Sequence, residues 1–108
     1  MLWKGAPLNI SVGQRVWVPC EVKPGPFSDE RMVLVNSPAV QSSVSSWIGF
    51  VPTTCLRDPI LTGETYVNAI VVNVFGDRFF AQLVGDGFAN TVFEDAISRA
   101  QPIDTFES

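Results

Sequence analysis

VGQRVWVPCEV (Val12 to Val22) and TGETYVNAIVV (Thr62 to Val72) decide the fold class. Both carry a Gly, an acidic or amide residue, an aromatic-Val pair, then a small residue and Val. Each leads through a turn into a second apolar segment, FSDERMVLV from Phe27 and FGDRFFAQL from Phe75. Each closes alike, FVPTTCLRD (Phe50 to Asp58) against TVFEDAISR (Thr91 to Arg99), an alignment that sets Val51 on Val92 and Leu56 on Ile97. A sequence that repeats itself at such spacing asks to be read as repeated structure before anything else. The expected architecture is all-β, one domain over residues 1–108, built from two related three-stranded units at 12–58 and 62–100. Two separate full barrels are the alternative, for which segments of 47 and 39 residues are short.

Alternation assigns faces within these segments, because successive strand side chains point to opposite sides of a sheet. Val16, Val18, Cys20 and Val22 fall on one face, leaving Arg15, Trp17, Pro19 and Glu21 on the other. Val67, Ala69 and Val71 likewise turn Tyr66 and Asn68 outward, and Phe79, Ala81 and Leu83 turn Arg78, Phe80 and Gln82 outward. Taking Val92 as core by its match to Val51 makes Phe93, next to Glu94, a fourth outward ring. The expected core is therefore Val16, Val18, Val22, Val67, Ala69, Val71, Phe79, Leu83, Val92 and Ile97.

Punctuation fits this layout. KPGPFSDE (Lys23 to Glu30), with two Pro and a Gly, reads as a turn, and FGD (Phe75 to Asp77) as a tight hairpin connection. SPAVQSSVSS (Ser37 to Ser46) reads as a long flexible loop where the second unit has only GDGFAN (Gly85 to Asn90). LRDPILTG (Leu56 to Gly63) joins the units. Helix is scarce, and PTTCL (Pro52 to Leu56) and FEDAI (Phe93 to Ile97) each read as one 3₁₀ turn.

Apolar residues make up 46% of the chain and charged ones 17%, too apolar for disorder and low in charge for a fully solvated surface. Residues 1–54 carry a net charge of +1 and residues 55–108 of −5, which repels a phosphate backbone and suits a cationic partner. Nucleic acid is accordingly not the expected partner. MLWKGAPLNI has no apolar stretch of signal-peptide length, and the aliphatic run Ala69 to Val72 falls far short of the roughly 20 residues a membrane span needs. The protein is read as cytoplasmic, with no membrane partner.

Cys20 and Cys55 could form a disulfide, a reactive thiol or plain core; the repeat sets them on Ala69 and Ala96, which favours reduced, small core side chains. The chain has no His, which removes Cys–His nucleophiles, Ser–His–Asp triads and His-bearing zinc sites, and two Cys are too few for structural zinc. Asp29-Glu30 and Glu94-Asp95 lack the ligand spacing of a calcium loop, and Gly85-Asp86-Gly87 lacks the strand-then-helix setting of a phosphate loop. No cofactor and no metal are expected.

YVNAIVVNVFGDRFFAQLVGDGFANTVFEDAISR (Tyr66 to Arg99) resembles the Tudor and related SH3-like small barrels, with Ala69, Val71, Gly76, Asp77, Asp86, Gly87, Val92, Ile97 and Arg99 in comparable places. WIGFVPTTCLRD (Trp47 to Asp58) is similar to the Val-Pro strand and 3₁₀ turn of bacterial SH3 domains. The resemblance implies a binding barrel in which an aromatic cage holds a methylated or guanidinium cation. Tyr66, Phe80, Phe88 and Phe93 would supply the rings, and Asp86 or Glu94 the charge; no aromatic stands between Asp86 and Gly87, where the family has one. VGQRVWVPCEVKPGPFSDERMVLVNSP (Val12 to Pro38) with VPTT (Val51 to Thr54) resembles the plasmid-addiction toxin endoribonucleases, which implies Arg31 as acid–base or phosphate clamp and Thr53 or Thr54 as positioning group. That family's Pro after the Arg is absent here.

The functional expectation is a non-catalytic protein- or peptide-binding module for a cationic partner. Its binding residues would be Trp17, Tyr66, Phe80, Phe88, Phe93, Asp86 and Glu94, and the chain would self-associate as a homo-oligomer. The alternatives are a toxin-type endoribonuclease and a purely structural homo-oligomer.

Overall fold

The computed structural model describes residues 10–38, 44–85 and 92–103. Strands β1 (Arg15–Pro24), β2 (Glu30–Pro38) and β3 (Val44–Pro52) form an antiparallel meander that ends in a 3₁₀ turn, Thr53–Cys55. A second meander, β4 (Gly63–Phe75), β5 (Arg78–Leu83) and β6 (Val92–Ala96), ends in a 3₁₀ turn at Ile97–Arg99 and the two-residue β7 (Gln101–Pro102). The meanders join through their first strands, giving the order β3-β2-β1-β4-β5-β6, with β7 added on β1. The result is a small, nearly closed antiparallel all-β barrel, as expected for an SH3-like architecture. Its open seam is bridged by Trp47 of β3 against Phe93 of β6, ring centroids 6.3 Å apart, and by Arg99, whose guanidinium donates to the Asn36 carbonyl at 2.8 Å. No helix among the described residues is long and apolar enough to cross a membrane.

The period-two reading holds along β1, β4 and β5. Val16, Val18, Val22, Val67, Ala69, Val71, Phe79, Ala81 and Leu83 are all buried in one cluster, joined by Val33, Val35, Val51 and Leu56. Antiparallel strands with one face on the core and one in water produce this alternation. The two-residue connection between β4 and β5 depends on Gly76, whose φ of 60° lies in the left-handed region that a side chain disfavours.

The register slips between Val71 and Asn73, a bulge where one β4 residue goes unmatched. The Asn73 side chain accepts the Val74 N–H at 2.9 Å. Beyond the bulge Val74 packs against the core.

Three expectations are corrected. The β2/β3 ladder runs unbroken to Pro38↔Val44, so residues 37–38 and 44–46 are strand rather than loop; Ser-rich composition does not prevent cross-strand hydrogen bonding when a partner strand is in place. The remainder of that segment, 39–43, lies outside the described residues, as do residues 86–91 of the shorter connection. FEDAI is mostly strand: β6 pairs with β5 from Gln82↔Val92 to Arg78↔Ala96, and the 3₁₀ turn begins only at Ile97.

With that register Val92 is exposed at 43% and Phe93 is buried at 1%, the reverse of the expected facing. The pairing of Ala81 with Phe93, and of Val33 with Gly49, shows the cause. Val92 stands where Ile48 stands on β3, not where Val51 does, and an odd-numbered slip in a strand turns every side chain to the other face. Ile97 lies half-buried against the core.

Candidate functional site

The β1/β4 ladder places the outward residues in cross-strand pairs: Trp17 opposite Asn68, Pro19 opposite Tyr66, Glu21 opposite Glu64. Trp17 and Tyr66 are thus diagonal neighbours on one face, within reach of long side chains. Tyr66 already has a cation on its ring. The bridge Leu56↔Val67 and the Arg57 N–H to the Tyr66 carbonyl (2.9 Å) lay the joining segment along β4. They bring the Arg57 guanidinium to 4.8 Å from the ring centroid. Gln101 of β7 locks the group, accepting from Arg57 at 2.8 Å and donating to the Tyr66 hydroxyl at 3.1 Å.

Beside this cluster lies a groove of about 430 Å³. Glu21, Glu64 and Tyr66 line it from the β1/β4 ladder, Leu34 and Asn36 from β2, and Arg99 from the turn before β7. Like charges set directly opposite one another on paired strands repel. Lys23 lies 3.4 Å from the Glu21 carboxylate, but both side chains are nearly half exposed, where such a pair is worth little. Arg99 lines the groove with its side chain partly exposed, while its Nε lies 2.7 Å from the carboxylate of fully buried Asp95 and its Nη2 donates to the Asn36 carbonyl. The groove thus presents two carboxylates and a phenol, with the Arg99 guanidinium at its margin drawn toward buried Asp95.

The other expected residues are not gathered here. Phe80, exposed at 37%, stacks edge-on against Phe75 with centroids 5.2 Å apart, and faces Asn73 and Glu94 across its neighbouring strands. The Glu94 carboxylate takes the Arg78 guanidinium at 2.6 Å. Phe93, expected outside, is core, because its strand register sends it inward. Asp86 and Phe88 lie outside the described residues. Glu64, Arg57 and Gln101 were not anticipated as site residues, and Glu21 was assigned only to the polar face. The signal that finds them is the antiparallel pairing of one repeat's first strand with the other's, which sets Glu21 opposite Glu64.

Both cysteines are free thiols. Cys20 is buried, and burial pushes its pKa up to about 12 against the smaller lowering effect of a hydrogen bond with the Thr65 backbone. Half-buried Cys55 is also pushed up by burial, against the Thr54 hydroxyl and the Arg15 charge. A thiol held protonated is a poor nucleophile. Arg31 donates Nε to the Ile60 carbonyl and Nη1 to the Ser28 and Glu30 carbonyls, each at 2.9 Å. Its guanidinium thereby ties the β1/β2 turn to the segment that enters β4.

No family model, no curated protein and no solved structure matches this chain.

Proposed function

We propose that the chain is a non-catalytic module, on an SH3-like barrel of the Tudor kind, that binds a basic segment of a partner protein in the groove beside Tyr66. The observation that carries this reading is the pair Glu21 and Glu64, set directly opposite each other and facing solvent. Two carboxylates at one ladder position gain from a cation that each alone would bind weakly, since the cation also relieves their mutual repulsion. Lys or Arg of a bound segment supplies that charge, and the phenol of Tyr66 and the apolar Leu34 offer contact to its stem. The cage implied by the Tudor resemblance is not the support, because Arg57 occupies the Tyr66 ring. The ribonuclease reading draws no support from Arg31, whose donors hold backbone carbonyls.

Calorimetry on the full chain at low salt, with heptalysine and hepta-arginine as probes, tests the proposal. Glu21→Gln with Glu64→Gln is expected to weaken binding at least tenfold, with Glu94→Gln, paired internally to Arg78, close to neutral. Binding unaffected by the double change would overturn it, as would no binding by the unaltered chain.

Self-association is the second reading, favoured by a separate observation: Val72, Phe75, Phe80 and Val92 are exposed on neighbouring strands β4 to β6. Large rings left in water are usually there to be covered. Sedimentation of the chain and of its Phe80→Ala variant decides it; a monomer in both leaves that face without a role in assembly.

A further inference from the structure

Burial alternates identically from Arg15 to Val22 and from Glu64 to Val71. The same step carries Trp17 onto Tyr66 and Val18 onto Val67. Val18 and Val67 are also partners across the β1/β4 ladder. In an antiparallel pair, a residue that faces its own equivalent marks a two-fold axis perpendicular to the ladder.

The rest of each unit obeys the same operation. Glu21↔Leu34 and Val22↔Val33 correspond to Ile70↔Gln82 and Val71↔Ala81, the second strand matching one residue earlier than the first and inward Val33 falling on inward Ala81. Each unit then closes on a three-residue 3₁₀ turn sealed alike, Leu56 N–H to the Thr53 carbonyl and Ala100 N–H to the Ile97 carbonyl, both at 3.1 Å.

Past its closing turn, each unit sends its chain across to the other. Leu56 bridges to Val67 of β4, whereas Gln101 and Pro102 pair with Trp17 and Val16 of β1. The turns cross too. Cys55 and Pro52 lie against Gly85 in the turn that follows β5, where an added Cβ would lie 2.9 Å from the Cys55 Sγ and from the Pro52 Cδ. Reciprocally, Arg99 reaches the Asn36 carbonyl of β2.

We infer that the chain is a tandem fusion of two copies of one half-barrel, joined as a two-fold pair with exchanged closing segments, so that each half is the binding partner of the other. A three-stranded meander of this length has one apolar face and nothing within itself to cover it. The common core draws Val16, Val18, Val33 and Val51 from one half and Val67, Val71, Phe79 and Phe93 from the other. The joining segment, whose Arg57 pairs with Tyr66 as Gln101 pairs with Trp17, then belongs to the exchange and its covalent continuity is dispensable, so either half could equally pair with a second copy of its complement.

This inference is independent of what the groove binds. A protease recognition sequence inserted between exposed Leu61 and Thr62, followed by cleavage of the folded full chain, tests it. The two pieces are expected to remain together on size exclusion with an unchanged circular dichroism spectrum. Refolding after denaturation should become second order, its half-time lengthening tenfold when both pieces are diluted tenfold.

A circular permutant with Ser108 joined to Met1 and opened at Leu61/Thr62 should fold with concentration-independent kinetics. One piece remaining folded after separation would overturn the exchange, as would first-order refolding of the nicked chain. Failure of both the nicked and the permuted chains to fold would overturn it as well.

Discussion

Val18 and Val67 meet across the ladder at the centre of the barrel, both fully buried. Replacing either by Asp leaves a charge with no partner among aliphatic neighbours, a cost of several kcal/mol that exceeds much of the stability of a domain this size. Neither variant should give a cooperative thermal transition; a folded Val18→Asp would refute the core assignment. Cys20 makes stability depend on alkaline pH. Its folded pKa, about 12, is raised above the ordinary value of 9.0, so the fold favours the neutral thiol. That contribution is complete below pH 9 and is lost as pH climbs through the interval up to 12. Urea denaturation at pH 8 and pH 10.5 should show a fall that Cys20→Ala largely removes. Arg57 predicts an opposite pair of effects. Removing it costs at most about 1 kcal/mol, as expected for an exposed cation on a ring. It also frees the Tyr66 face, so Arg57→Ala should bind hepta-arginine more tightly than the unaltered chain.

Among the elements, β6 separates two registers cleanly. Phe93→Ala empties a fully enclosed site and should cost about 3–5 kcal/mol, whereas Val92→Ser on the exposed face should stay within about 0.5 kcal/mol. Chemical denaturation of the two variants checks the order, and a reversal would restore the facing that sequence alignment implies. Alternation made β1, β4 and β5 legible, because each contacts the core on one face and solvent on the other. It failed on β6 for two reasons. Val-Phe-Glu-Asp-Ala offers apolar residues at adjacent positions, so parity had to be borrowed from β3, and unequal connections between the strands of the two units left that alignment off by an odd number. The 3₁₀ turn at Thr53–Cys55 was legible because Pro52 and the Thr pair break the strand, whereas the Ser-rich end of β2 and start of β3 looked like loop because nothing local in polar residues announces a partner strand.

At the scale of the whole molecule, the pairing of β1 with β4 creates the candidate site, and no single segment contains it. Trp17 and Tyr66 could be read as outward from their own strands. Glu64 acquires meaning only opposite Glu21, and Arg57 and Gln101 only where the joining segment and β7 return to the ladder. The groove's charge sets how binding should respond to ions: affinity for a basic probe should fall steeply as salt rises from 20 to 200 mM, by screening of the exposed carboxylates. The most direct test is an amide and side-chain NMR titration of the full chain with hepta-arginine. The account predicts that the largest shifts fall together on Glu21, Leu34, Asn36, Glu64 and Tyr66, while Phe75, Phe80 and Val92 stay unmoved. Shifts centred on Phe75, Phe80 and Val92, or spread over the molecule without a centre, would contradict it.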